Sequence, residues 1–161
     1  MTRTWTLPDV DATQRWAAAF ARHLVAHGPT SVVIGLIGDL GAGKTTFVQG
    51  FVAGIAPDED LYVTSPTFAI AQVYDTEPQV RHLDLYRLGD YDELAAIGDR
   101  DLFHAPGFAL VEWIDQIPEA APPEWIALHL TVTDDDARRL EATGHGARLA
   151  ALVDDFVNAL I

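Results

Sequence analysis

Residues 31–55 read SVVIGLIGDLGAGKTTFVQGFVAGI, and this stretch leaves few folds open to the chain. SVVIGLI is a continuous, largely β-branched run, the pattern of a strand covered on both faces. KTTFVQGFVAGI follows as a helix. Between them, Gly38 to Thr45 fits G-x-x-x-x-G-K-[ST], the strand–loop–helix signature of a phosphate-binding loop. A strand buried on both faces needs helices on both sides of its sheet, which points to an α/β protein.

The chemistry follows from the residue types. Glycines let the backbone turn around a phosphate and aim successive N–H groups at it. The helix beginning at Lys44 adds the positive end of its dipole. The candidate phosphate contacts are the loop residues Asp39, Leu40, Gly41, Ala42 and Gly43, with Lys44, Thr45 and Thr46 opening the helix. The Lys44 ammonium can reach the β- and γ-phosphates, and the Thr45 hydroxyl can hold Mg²⁺. Lys44 is the only lysine in a chain with ten Lys and Arg residues. The loop needs a slim, flexible point charge, and a planar guanidinium would not fit in its place.

The rest of the chain supplies partners for this unit. TWTL alternates and stops at Pro8, as an edge strand does. DATQRWAAAFARHLVAHG predicts a helix with Asp11 and Gln14 as a capping box and Gly28 at its end. Residues 68–74 and 80–86 predict strands around a loop holding Pro78, and DELAAIG a short helix. Residues 107–113, GFALVEW, predict a second buried strand. WIALHLTV and ARRLEAT form a hairpin around TDDD, and ARLAALVDDFVNALI closes as an amphipathic helix. The expected fold is a three-layer α/β sandwich of the P-loop NTPase kind, mainly parallel with antiparallel additions. The 161 residues are expected to make one domain.

A bound Mg²⁺ and water usually call for a carboxylate at the end of a neighbouring strand. FALVE ends in Glu112 after four apolar residues. VRHLD ends in Asp84 but is interrupted by Arg81 and His82, so the pattern alone ranks Glu112 first. Either acid could instead lie on the surface at a strand end. In VTSPTF, Ser65 and Thr67 occupy the place where nucleotide switches sense the γ-phosphate, or else form a turn around Pro66.

Composition removes other functions. A net charge of −14 disfavours a general nucleic-acid-binding face, so an anion needs a local, preorganised site. The absence of cysteine excludes disulfides and thiolate metal sites and fits a reducing cytoplasm. MTRTWTLPDVDATQRW holds no apolar secretory core, and no apolar run is long enough for a membrane span. The six histidines read as surface or internally satisfied residues. The guanine-reading NKxD motif needs a second lysine, and no Asp stands three residues before a Gly, which disfavours a guanine-specific GTPase. A small-molecule kinase would need an Arg-bearing lid. Arg81, Arg87 and Arg100 are available, but GDYDELAAIGDRDLF is acidic.

Taken in order, GDLGAGKTTFVQG, SPTF, HLDLYRL, EL..IG and LVEW resemble the bacterial TsaE family over most of the chain. These are small P-loop ATPases of tRNA threonylcarbamoyladenosine biosynthesis. Ile114 departs from the Pro or small residue that often follows the Trp in that family. The resemblance implies ATP as substrate, ADP as product and slow hydrolysis by the isolated protein. It also implies TsaD and TsaB as partners, with tRNA reached only through them. By position it gives Lys44 the β- and γ-phosphates and Thr45 the Mg²⁺. It sets Asp84 and Glu112 at the metal or the attacking water, and Thr67 at the switch. Trp113 then touches nucleotide or partner, or anchors its strand in the core. Arg87 pairs with a carboxylate or meets a partner.

Overall fold

The computed structural model describes residues 1–66, 68–134 and 137–160. Among them, seven strands form one sheet: β1 (Thr2–Leu7), β2 (Ser31–Ile37), β3 (Ala71–Tyr74), β4 (Val80–Asp84), β5 (Gly107–Glu112), β6 (Trp125–Val132) and β7 (Arg138–His145). Their order is β1-β7-β6-β2-β5-β4-β3. The four central strands β6, β2, β5 and β4 run parallel. Antiparallel strands are added at both edges, β3 on one side and the β7–β1 pair on the other. The helices are α1 (Val10–His27), α2 (Lys44–Ile55), α3 (Tyr91–Ala96), α4 (Asp99–His104) and α5 (Ala147–Leu160).

Strand alternation sorts the core into two layers of packing. Val32, Ile34 and Leu36 of β2, with Phe108 and Leu110 of β5, pack among Trp16, Phe20, Phe47, Phe51 and Phe156 of α1, α2 and α5. Val33 of β2 and Ala109 and Val111 of β5 face the other way, toward Leu94 of α3 and Phe103 of α4. This is the expected three-layer α/β sandwich. Burying each large apolar side chain contributes about 1.5–3 kcal/mol, so the aromatic cluster around Trp16 and Phe20 dominates the first layer.

Local differences from the sequence expectations have physical causes. The cap of α1 is Asp9, whose carboxylate accepts from the Ala12 N–H at 2.7 Å; Asp11 lies within the first turn and complements the dipole there. β3 starts only at Ala71, because Ile70 sits at φ 68°, left-handed backbone that breaks a strand. α4 is an unanticipated helix. It begins after Gly98, which takes φ 88° and so turns the chain between α3 and α4. No helix among the described residues is long and apolar enough to cross a membrane.

Helices α1 and α2 approach closely through Gly50 and Gly54. A Cβ at Gly50 would collide with the backbone of Gln14, and one at Gly54 with that of Ala18. Gly50→Val is therefore expected to lower unfolding free energy by about 2 kcal/mol through overpacking. Urea denaturation checks this; an unchanged midpoint would show that the helices separate without loss.

Candidate functional site

The loop between β2 and α2 lies where the parallel strands end. Gly41 (φ 79°) and Gly43 (φ 106°) adopt backbone that side-chain-bearing residues seldom take, and they shape the turn into α2. A cleft of about 360 Å³ opens over this loop. Leu40 to Thr46 line it, with Ser65, Asp84, Tyr86, Glu112, Trp113 and Arg138. The structure thus gathers Leu40, Gly41, Ala42, Gly43, Lys44, Thr45, Thr46, Asp84, Glu112 and Trp113 around one space. Asp39 stands behind it and offers its carbonyl to Lys44 and to the Ala42 N–H. Thr67 lies outside the described residues.

Lys44 is 5% exposed. Its Nζ donates to the carbonyls of Gly38 at 2.5 Å and Asp39 at 3.2 Å. The Trp113 ring covers it, with Nζ 3.9 Å from the ring centroid. Burial pushes the ammonium below the ordinary lysine range, against the upward pull of Glu112, Asp84 and more distant acids. Trp113 reaches this position because its backbone is left-handed, at φ 62°. Its ring also packs on Tyr86, with centroids 5.1 Å apart. Trp113 is therefore part of the cleft wall.

The two acids come from adjacent strand ends. Asp84 and Glu112 are register partners on β4 and β5, and both are 3% exposed. Neither is a surface carboxylate. Thr45 Oγ1 lies 3.4 Å from Glu112 Oε2. Asp84 accepts from Ser65 Oγ at 2.7 Å and from the Tyr86 N–H at 2.9 Å. Two carboxylates and a hydroxyl form a hard oxygen donor set, suited to Mg²⁺ rather than to a soft metal. Among the described residues no group of three or more His, Asp or Glu gathers as a metal cage. A Mg²⁺ here would thus complete its shell with phosphate oxygens and water.

Several residues near the site take roles the sequence does not announce. His82 is fully buried, and its Nε2 lies 2.5 Å from Glu112 Oε2, while its Nδ1 has no hydrogen-bond partner among the described residues. Of the six histidines, this one departs from the expectation of a surface or fully satisfied residue. Its signal was positional: residues 82 and 84 share one face of β4, the face turned toward α2. Arg81 points to the opposite face, where its buried guanidinium donates to the carbonyls of Leu102, Ala105 and Pro106. The apparent interruption of β4 is thus two buried polar side chains on opposite faces, Arg81 bonded to carbonyls and His82 to Glu112. Arg87 stacks on Phe68, 4.1 Å from the ring centroid, and forms no ion pair among the described residues. Arg138 arrives at the loop from β7.

Comparison with known proteins matches these features. The model of the family described as "Threonylcarbamoyl adenosine biosynthesis protein TsaE" matches residues 7–140. The protein of that biosynthesis in Bacillus subtilis named TsaE is 37% identical over 138 residues, which cover 85% of each chain. The one in Haemophilus influenzae is 35% identical over 140 residues, covering 86% of this chain and 87% of that one. The crystal structure of Bacillus subtilis YdiB aligns with a TM-score of 0.83 at 30% identity, covering 100% of this chain and 97% of that one. With the loop, the paired strand-end acids and the sheet order in place, the chain belongs to the TsaE family.

Proposed function

We propose that this chain is the ATP-binding and ATP-hydrolysing subunit of the tRNA threonylcarbamoyladenosine machinery, a single domain working in the cytoplasm with TsaD and TsaB. The observation that carries this is the convergence of Lys44, Thr45, Asp84 and Glu112 on one cleft at the phosphate loop of a TsaE-family chain. The names of the relatives supply the pathway.

In this reading the loop N–H groups and Lys44 take the β- and γ-phosphates of ATP. Thr45, Asp84 and Glu112 would hold Mg²⁺, which when bound neutralises charge on the phosphate oxygens. Glu112, oriented by His82, accepts a hydrogen bond from water aligned on the γ-phosphorus. Attack forms a new P–O bond as the bond to the β-phosphate oxygen breaks and the water gives up a proton to Glu112, leaving ADP and inorganic phosphate. Lys44 must first give up its own loop carbonyls and slide from under Trp113. That exchange supports slow turnover alone and faster turnover with a partner that moves Trp113. The charge of −14 supports indirect contact with tRNA, through the partner proteins.

The test is a reconstituted modification assay with purified TsaD, TsaB, tRNA and a threonylcarbamoyl donor. Adding this chain with ATP is expected to raise modified tRNA formed per TsaD–TsaB complex. An unchanged yield would contradict the proposed role.

A further inference from the structure

Arg138 opens β7, paired with Val132 of β6 and Leu7 of β1, far in sequence from the phosphate loop. Its half-buried side chain nevertheless lines the cleft. Nε donates to the Ala42 carbonyl at 2.9 Å, and one terminal nitrogen donates to the Gly41 carbonyl at 3.2 Å. The other terminal nitrogen donates to the Ala137 carbonyl at 3.1 Å. No described carboxylate forms an ion pair with it. Here a guanidinium spends its fork on two successive carbonyls of the loop itself.

A trans peptide points its C=O and N–H in opposite directions. Holding the Ala42 carbonyl toward Arg138 therefore fixes the Gly43 N–H in the opposite direction. Holding the Gly41 carbonyl fixes the next peptide plane, whose Ala42 N–H already bonds the Asp39 carbonyl at 3.0 Å. Two left-handed glycines make this segment intrinsically permissive, so it needs an external restraint to stay in one shape. A guanidinium has five N–H donors, and three are used by these carbonyls. The remaining two belong to a cation bordering the cleft beside Lys44.

We propose that Arg138 is a positioning residue of the phosphate cradle, fixing the peptide planes of Gly41–Gly43 from the β6–β7 hairpin and adding a second positive charge beside the nucleotide diphosphate. This rests on the nucleotide reading above. Preorganised N–H donors need no rearrangement when the anion arrives, so the effect falls on phosphate affinity.

Titration calorimetry with ADP and with AMP separates this role from that of a strut for the hairpin. Arg138→Gln is expected to weaken ADP by about tenfold, the loss of one charge-assisted contact. AMP should change far less, because it lacks the β-phosphate that the cradle holds. Arg138→Lys keeps the charge but loses the fork, and should fall between wild type and Arg138→Gln. An equal loss for ADP and AMP, or ADP affinity within about twofold of wild type, would overturn the inference. If Arg138→Gln does not fold, Arg138→Lys decides by the same ADP-to-AMP comparison. If wild type fails to bind ADP, the nucleotide reading falls and this inference with it. Wild-type binding that is unchanged in the variants defeats the inference alone.

Discussion

Lys44→Ala is expected to reduce ATP and ADP affinity by about a hundredfold and to stop hydrolysis, with the fold intact. The magnitude follows from what remains. The loop N–H groups and the α2 dipole survive the substitution, and a helix N-terminus contributes only about 0.3–1 kcal/mol toward a nearby anion when exposed. The ammonium would make two or more charge-assisted bonds to phosphate, each about 1.5–3 kcal/mol. Losing about 3 kcal/mol corresponds to roughly two decades in affinity. Lys44 is the only lysine, so no neighbour of the same kind can replace it. The fold should tolerate the change, because folding already works against burying this ammonium and removing it relieves that penalty. Calorimetry measures the affinity and circular dichroism the fold; wild-type affinity in a folded variant would contradict the role.

Glu112→Gln should lower turnover by about 10²–10⁴-fold while leaving Mg²⁺-free ADP affinity nearly unchanged. The amide has the shape of the acid and can still meet His82 Nε2 and Thr45 Oγ1, so packing is preserved. What disappears is the negative charge facing metal and water. Asp84, its register partner, remains in place and keeps its bonds from Ser65 and the Tyr86 N–H. Single-turnover phosphate release and ADP titration, measured side by side, distinguish the roles. Matching losses of binding and turnover would make Glu112 a structural residue.

Much of the site was legible because it is local or periodic. Gly38 to Thr45 is contiguous, and its strand and helix follow from β-branched and helical patterns. FALVE announces Glu112 because a buried apolar run ending in an acid leaves that acid at a strand tip. The pattern alone ranks Asp84 lower because Arg81 and His82 interrupt its apolar run. The structure buries both, one on each face, with Arg81 bonded to carbonyls near α4 and one ring nitrogen of His82 bonded to Glu112. Reading strand parity would have placed His82 beside the acids. Arg138 could not be read in this way. Its contact with Gly41 and Ala42 spans nearly the whole chain and depends on how far the β6–β7 hairpin reaches over the loop, which tertiary packing decides. The pattern extends β3 back to Phe68 for a different reason: FAIAQVY is uniformly strand-like, and the left-handed turn at Ile70 is imposed where its carbonyl accepts from the Asp84 N–H at 2.8 Å.

Phosphate release from ATP by the purified chain, with and without the TsaD–TsaB pair and tRNA, tests the central claim most directly. Slow Mg²⁺-dependent release that rises when the pair is added is the predicted result. Turnover that is the same with and without the partners, or γ-phosphate transferred rapidly to a small metabolite in place of water, would contradict it.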